Sequence, residues 1–258
     1  MRENVIRANE SGVCYPMRRV RYRQFIGFIL IPVLLWGAIL GMAATKSAVQ
    51  AYNPQINPAD FQTTVDNPWF PLVPGTTFIY REQIGGSKNE NVVTVTKDTK
   101  VIMGVTCIVV SDIVKEKDVI IEETTDWYAQ DKQGNVWYFG EATKEYQARG
   151  KVITTGSWEA GVNGAKPGIV MKGNPVPGEP YRQEYYAGEA EDMGQIIAVN
   201  DSVTVPYGAF TGCVKTKEWS MLEPGSENKW YARGIGNIKT KSSSNEEISV
   251  LISITKTK

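Results

Sequence analysis

From Gly75 onward the chain alternates apolar and polar positions with a period of two, in short runs broken by Gly, Asn, Asp and Pro. TTFIYREQI, NVVTVTKDTKVIM, VTCIVVSDIV and DVIIEETTDWYAQD are such runs in the first half, and QIIAVNDSVTVPYG, CVKTKEWSML and EISVLISITK in the second. Val, Ile, Thr and aromatic residues fit a pleated, half-buried surface, and short runs joined by tight turns predict an antiparallel meander rather than a parallel α/β sheet. The expected fold is all-β: a curved antiparallel meander or open barrel, with two halves that are candidates for a pseudo-repeat. The only helical pattern is the short GEAEDM stretch at 188–193.

The hydrophobic pattern also sets the boundaries. Residues 52–74 carry prolines at 54, 58, 68, 71 and 74 and read as an extended lead-in, because proline cannot donate to a sheet ladder. Phe61, Trp69, Phe70 and Leu72 are expected to plug one end of the fold. Residues 75–258 form one β domain, with a long Gly- and Pro-rich loop near 160–180. The two halves are weakly alike. VTVT leads through Cys107 to Trp127-Tyr128-Ala129, and VTVP leads through Cys213 to Trp230-Tyr231-Ala232. Duplication and chance similarity between Val/Thr-rich strands both account for this.

WYAQDKQGNVWYFGE, residues 127–141, predicts a hairpin in which Lys132 and Gln133 turn the chain and Gly134 takes the left-handed position. The register then sets Ala129 opposite Trp137, Tyr128 opposite Tyr138, Trp127 opposite Phe139 and Thr125 opposite Glu141. Trp127, Trp137 and Phe139 share one face and the tyrosines the other. Trp and Phe bury most of their area whereas Tyr can keep its hydroxyl wet, so the Trp/Phe face is expected inside, with Trp219 and Trp230 also contributing. Those rings are either core or the lining of an apolar site, which makes Trp127, Trp137, Phe139 and Trp230 the candidate ligand-binding residues.

Charge changes the picture at the N-terminus. Arg18, Arg19, Arg21 and Arg23 precede the uncharged run Phe25–Ala44, the pattern of a positive flank followed by a membrane-inserting segment. Small residues at 48–51 favour cleavage after Ala51, making 1–51 a signal peptide; the alternative is an uncleaved N-terminal membrane anchor. Either way the remainder is expected to be secreted or periplasmic, with membrane contact only through that segment if it is kept. The first 51 residues hold seven Lys/Arg and two Asp/Glu, so 21 basic residues (28 less 7) face 26 acidic ones (28 less 2) in the rest. A net charge of −5 offers no long-range attraction to phosphate backbones, and no nucleic-acid partner is expected.

Candidate chemistry is sparse. There is no histidine, no CxxC and no nucleotide fingerprint, so no catalytic residue, metal or cofactor is assigned. Asp131, Gln133 and Asn135 faintly resemble a calcium loop, but a hairpin turn explains them more simply. Glu123 and Glu141, placed near one aromatic face, are the only candidate acid/base pair for a histidine-free glycosidase. Cys107 and Cys213 in an exported chain suggest one disulfide, the alternative being two separate buried thiols.

DNPWFPLVPGTTFIY, TTDWYAQDKQGNVWYFGE, PYRQEYYAGEAEDMGQI, VTVPYGAFTGCVKTKEW and WYARGIGNIK together resemble a group of uncharacterised exported bacterial β-proteins. That resemblance spans most of residues 60–240 and implies an extracytoplasmic β-protein without catalytic residues to carry over. More distantly, strand order and the closing GIGNIK resemble LolA/LolB-type lipoprotein carriers, although this chain lacks the cysteine that anchors LolB-type proteins. The expected function is therefore non-catalytic binding of an apolar or amphipathic small molecule, a lipid included, in a concave sheet. The alternatives are a cell-surface structural or protein-interaction module and a histidine-free glycoside hydrolase or carbohydrate binder.

Overall fold

The computed structural model describes residues 52–84, 86–244 and 247–257, together with the backbone of 6–8 and 14–16. The chain divides into two compact units. In the first, Met1–Pro32, the described backbone is a short antiparallel pair in which Ile6 faces Pro16. The second, Val33–Lys258, carries the β domain. The run Phe25–Ala44 and the cleavage position after Ala51 lie outside the described residues.

Among the described residues the domain has eleven strands of six or more residues, β1 (Thr76–Ile84), β2 (Ser87–Ile102), β3 (Val105–Glu116), β4 (Val119–Asp131), β5 (Val136–Tyr146), β6 (Lys166–Met171), β7 (Asp192–Val205), β8 (Gly208–Ser220), β9 (Glu227–Ala232), β10 (Gly236–Ser242) and β11 (Glu247–Lys256), and five two-residue strands that pair onto them. They pair antiparallel in the spatial order β7-β8-β9-β10-β11-β1-β2-β3-β4-β5-β6, so the C-terminal strand closes onto the first one. The result is an all-β sheet curled almost into a barrel, with one seam between β7 and β6. Two-residue turns make the long meander possible. Met103 and Gly104 link β2 to β3, and Lys117 and Asp118 link β3 to β4, all four at positive φ as the favoured hairpin turn requires.

A short crossing strap spans the seam. Tyr181–Arg182 pairs with β7 and Glu184–Tyr185 pairs with β6, leaving Gln183 between the two edges. Both edges place glycine where Gln183 passes. A Cβ on Gly168 of β6 would lie 2.4 Å from the Gln183 carbonyl carbon, and one on Gly194 of β7 would lie 2.9 Å from its side-chain nitrogen. The stretch 160–180 is thus not a continuous loop, because β6 forms inside it. The 188–193 stretch turns through the Tyr186–Ala190 bridge into β7 and is not helical.

The two halves match in register. Val109 faces Trp127 and Ile108 faces Tyr128 in the first; Lys215 faces Trp230 and Val214 faces Tyr231 in the second. This places Cys107 and Cys213 at equivalent points of two units, on strands separated by six steps of the sheet. The expected disulfide is therefore corrected: both are free, buried thiols, and they sit in different hydrophobic clusters. Matching positions on strands six steps apart keep the two cysteines from meeting. Burial pushes the Cys107 thiol up to about 12 and raises that of Cys213, which leaves both unreactive.

Candidate functional site

The aromatic hairpin follows its predicted register at the turn and departs from it four residues later. Asp131 N–H donates to Asn135 O at 3.0 Å, Gly134 has φ 85°, and Ala129 faces Trp137 while Tyr128 faces Tyr138. Asp131 is the hub of the turn, and no cation is needed to explain it. Its carboxylate accepts from the Gln133 and Asn135 backbone N–H groups, from the Asn135 side chain and from Trp137 Nε1, all at 2.8–2.9 Å.

Phe139 is then an extra residue, so that Trp127 faces Gly140 and Asp126 faces Glu141. Gly140 makes the bulge possible: its φ is 136°, and a Cβ there would meet Trp158 O at 2.3 Å, where strand 158–159 runs alongside. The expected pairing of Thr125 with Glu141 is off by this one residue. A slip of one reverses the face of every later side chain. Glu141 consequently shares a face with Asp126, whereas Glu123 lies on the opposite face with Tyr146 as its hydrogen-bond partner. The two carboxylates proposed as a glycosidase pair are on opposite sides of the sheet. A glycine inside a strand was the available signal for a bulge.

Trp127, Trp137 and Phe139 do share a face, but it is the outer one. The inner face is identified by Phe70 of the lead-in, which packs on Tyr128 (5.3 Å between ring centres) and on Tyr231 (6.3 Å), six strands apart. Only a ring inside the barrel can reach both. The sheet therefore turns Tyr80, Tyr128, Tyr138 and Tyr231, and many of its carboxylates, inward. The physical reason is that the lead-in supplies apolar cover on both sides. Phe70 and Leu72 plug the interior, and Phe61 crosses the outer face to pack edge-on against Trp137 and Phe139 at 6.1 and 5.6 Å. Phe139 is 0% exposed and Trp127 7%, with the Lys100 ammonium 3.5 Å above the Trp127 ring. Trp230 donates Nε1–H to Asp201 at 2.9 Å and is flanked by the Lys215 and Lys239 ammonium groups at 4.6 and 5.2 Å. Trp219 lies under Lys217 on the same side. The candidate ligand-binding rings are thus placed under side chains of the protein itself.

Buried polar groups fasten the lead-in. Gln130 Oε1 accepts from the backbone N–H of Asp66 and Asn67 at 2.9 and 2.7 Å, and its Nε2 donates to Asp66 Oδ1 at 2.7 Å. Asn67, 1% exposed, donates to Gly134 O and Lys172 O. These are the contacts that the proline-rich composition could not announce.

Inside, two polar groups stand out. In one, Tyr138 Oη donates to Asp126 at 2.6 Å and lies 3.0 Å from Glu141, its ring stacked on Tyr128 and edge-on to Trp158, which itself donates to Glu184. In the other, Glu218 accepts from Thr216 and Tyr231 at 2.7 and 3.0 Å and pairs with Lys229 at 2.8 Å. Between them, burial holds the Asp112 carboxyl well above its usual range, with Asp126, Glu82 and Glu122 adding repulsion and an Asn91 hydrogen bond opposing it. Burial raises Glu82 as well. Burial in both cases disfavours the ionised form that a metal or a nucleophilic mechanism uses. Among the described residues no cluster of His, Cys, Asp and Glu is arranged to hold a metal ion.

Because the Asp112 value is raised on folding, its contribution to stability is complete below the unfolded carboxylate range and is lost as pH rises through the folded value. The domain should melt at a higher temperature at pH 5 than at pH 8. Asp112→Asn, which keeps the shape without the charge, should flatten that slope and stabilise the protein at pH 8 by about 1–3 kcal/mol. Thermal melts of both proteins across this range check it; an unchanged slope in the variant contradicts the assignment.

The fold and these two faces define a nearly closed, antiparallel β-barrel with a packed, partly acidic interior. No protein-family model matches the chain, and comparison with curated proteins finds no match. Among solved structures, it is similar to a Bacteroides fragilis protein provisionally described as exported and as having a YmcC-like fold (19% identity, 73% of this chain, 99% of that one, TM-score 0.44). It is also similar to a Parabacteroides distasonis protein provisionally described as a lipoprotein (13% identity, 75% and 100%, TM-score 0.40).

Proposed function

We propose that the chain is an extracytoplasmic, non-catalytic binding module that acts through the outer face of its sheet. The observation that carries this reading is the filled interior. Val95, Met171, Ile196, Val214, Ile238 and Leu251, from six different strands, are each fully buried, and Phe70 closes the space between Tyr128 and Tyr231. The Arg-flanked apolar run at Phe25–Ala44 supports an extracytoplasmic location.

The rival reading, an apolar ligand held by Trp127, Trp137, Phe139 and Trp230, requires Phe61 and the overlying lysines to move aside. A mostly apolar cleft does exist beside the lead-in, where Pro71, Val73, Phe78, Tyr207, Ile235 and Ile254 meet. At about 150 Å³ it is below the ~300–1,000 Å³ usual for small-molecule sites. Native mass spectrometry of the protein exported by its own host should give the mass of the polypeptide alone. One lipid retained per chain would overturn the outward-acting reading in favour of the rival.

A further inference from the structure

The barrel sorts its charges by face. Two adjacent outer rows cross the sheet without a register break. The first runs Lys215, Trp230, Lys239, Val250, Arg81, Glu90, Lys115 over seven consecutive strands. The second runs Lys217, Asn228, Lys241, Ile248, Gln83, Lys88, with Lys117 just beyond in the β3–β4 turn. On the inner face of the same strands lie Glu82, Glu218 and Glu227, with Lys229 bound among them. The acidic total of the sequence thus conceals a basic outer surface on these seven strands. Among the described residues only Lys215 of these cations has an ion-pair partner, Asp201 at 3.8 Å, and Glu90 is the one carboxylate within the rows. At one end of the belt Arg81, Lys88, Lys115 and Lys117 surround a half-open cleft of about 340 Å³, which Glu90 and Asp118 also line.

We propose that this belt binds a linear acidic polysaccharide in which a carboxylated sugar alternates with a neutral one. The inference rests on the outward-acting reading above and names its partner. In the first row cations occupy every second strand, at about 10 Å, twice the distance between neighbouring strands. That is far sparser than the one charge per ~1.7 Å of duplex DNA. All but one of the eight cations are lysines, point charges without the guanidinium fork that matches phosphate, and Trp230 is already covered by two of them instead of offering a stacking surface. A flat bilayer would touch a curved sheet along a few strands only, whereas a flexible chain can follow all seven.

The test uses the full chain and hyaluronate as the alternately carboxylated probe, with dextran, a DNA oligonucleotide and phosphatidylglycerol vesicles as the other arms. Hyaluronate should bind at low ionic strength and lose roughly tenfold in affinity as salt is raised, while dextran does not bind. Replacing Arg81, Lys88, Lys117 and Lys217 together by Gln should weaken binding at least about tenfold with little change in melting temperature, since these four side chains are exposed and exposed charges contribute little to stability. As an independent variant, Glu90→Gln should tighten binding roughly twofold by removing the carboxylate within the rows. Absence of hyaluronate binding at low salt, equal binding by the fourfold variant, or stronger binding to DNA or vesicles would each overturn the proposal. Failure of the underlying reading would register separately, as a lipid retained in the interior.

Discussion

Phe139→Ala is expected to destabilise the domain by about 3–5 kcal/mol, the range for removing a fully buried phenylalanine. Phe139 has no exposed surface, and its ring is the one onto which Phe61 closes edge-on. Truncation would leave a cavity beneath the lead-in and detach the outer cover of Trp137 as well. For a domain of this size such a loss should lower the melting temperature by roughly 10 °C or more. If Phe139 lined a ligand site instead, its removal would abolish binding and spare stability. Equilibrium denaturation with urea therefore distinguishes a structural ring from a binding one, and a change below about 1 kcal/mol would contradict the packing described.

Gly168→Ala should be nearly as damaging although it adds a single carbon. The new Cβ would meet the backbone of the strap at the Gln183 carbonyl carbon and oxygen, 2.4 and 2.6 Å away, and at Arg182 O, 2.7 Å away. Backbone atoms cannot rotate out of the way as a side chain can. Either β6 or the strap must shift, at a cost of about 2–3 kcal/mol. Because the strap joins both sheet edges, local opening should concentrate there. Hydrogen exchange should show the amide of Gln183, which donates to Asp192 O, losing protection before the rest of the domain does. A variant as stable as the parent, with Gln183 still protected, would show that the strap does not close the seam.

The sequence made the architecture legible because period-two alternation and turn chemistry are local. The runs around VTCIVVSDIV and EISVLISITK became β3 and β11, and the DKQGN turn formed as its Gly134 demanded. Which face points inward was not local. Period-two patterning separates Trp127 from Tyr128 but cannot say which side a distant segment will cover. The lead-in settled the matter by sending Phe70 inside and Phe61 outside. Proline content had marked that segment as extended without revealing that Gln130 and Asn67 would bind it to the hairpin.

The same non-locality hid the candidate site. Net charge averages over faces, so a basic row assembled from β8 to β3 is invisible until Lys215, Lys239, Arg81 and Lys115 are placed in one register. The repeat between the halves was readable from Trp-Tyr-Ala at 127–129 and 230–232. Its consequence for the cysteines was not, since matching positions in two units can be neighbours or lie across the barrel. The bulge at Phe139, by contrast, could have been anticipated from Gly140.

The inside–outside assignment is the claim on which the rest depends, and neighbouring residues of β8 test it most directly. Thr216 is 0% exposed and faces Lys229, while Lys217 projects from the opposite face. In the full chain, Lys217→Cys should add one thiol that reacts at once with a charged maleimide. Thr216→Cys should add none until the protein is unfolded, when Cys107 and Cys213 become reactive with it. A rapidly labelled Thr216→Cys, or a protected Lys217→Cys, would contradict the account.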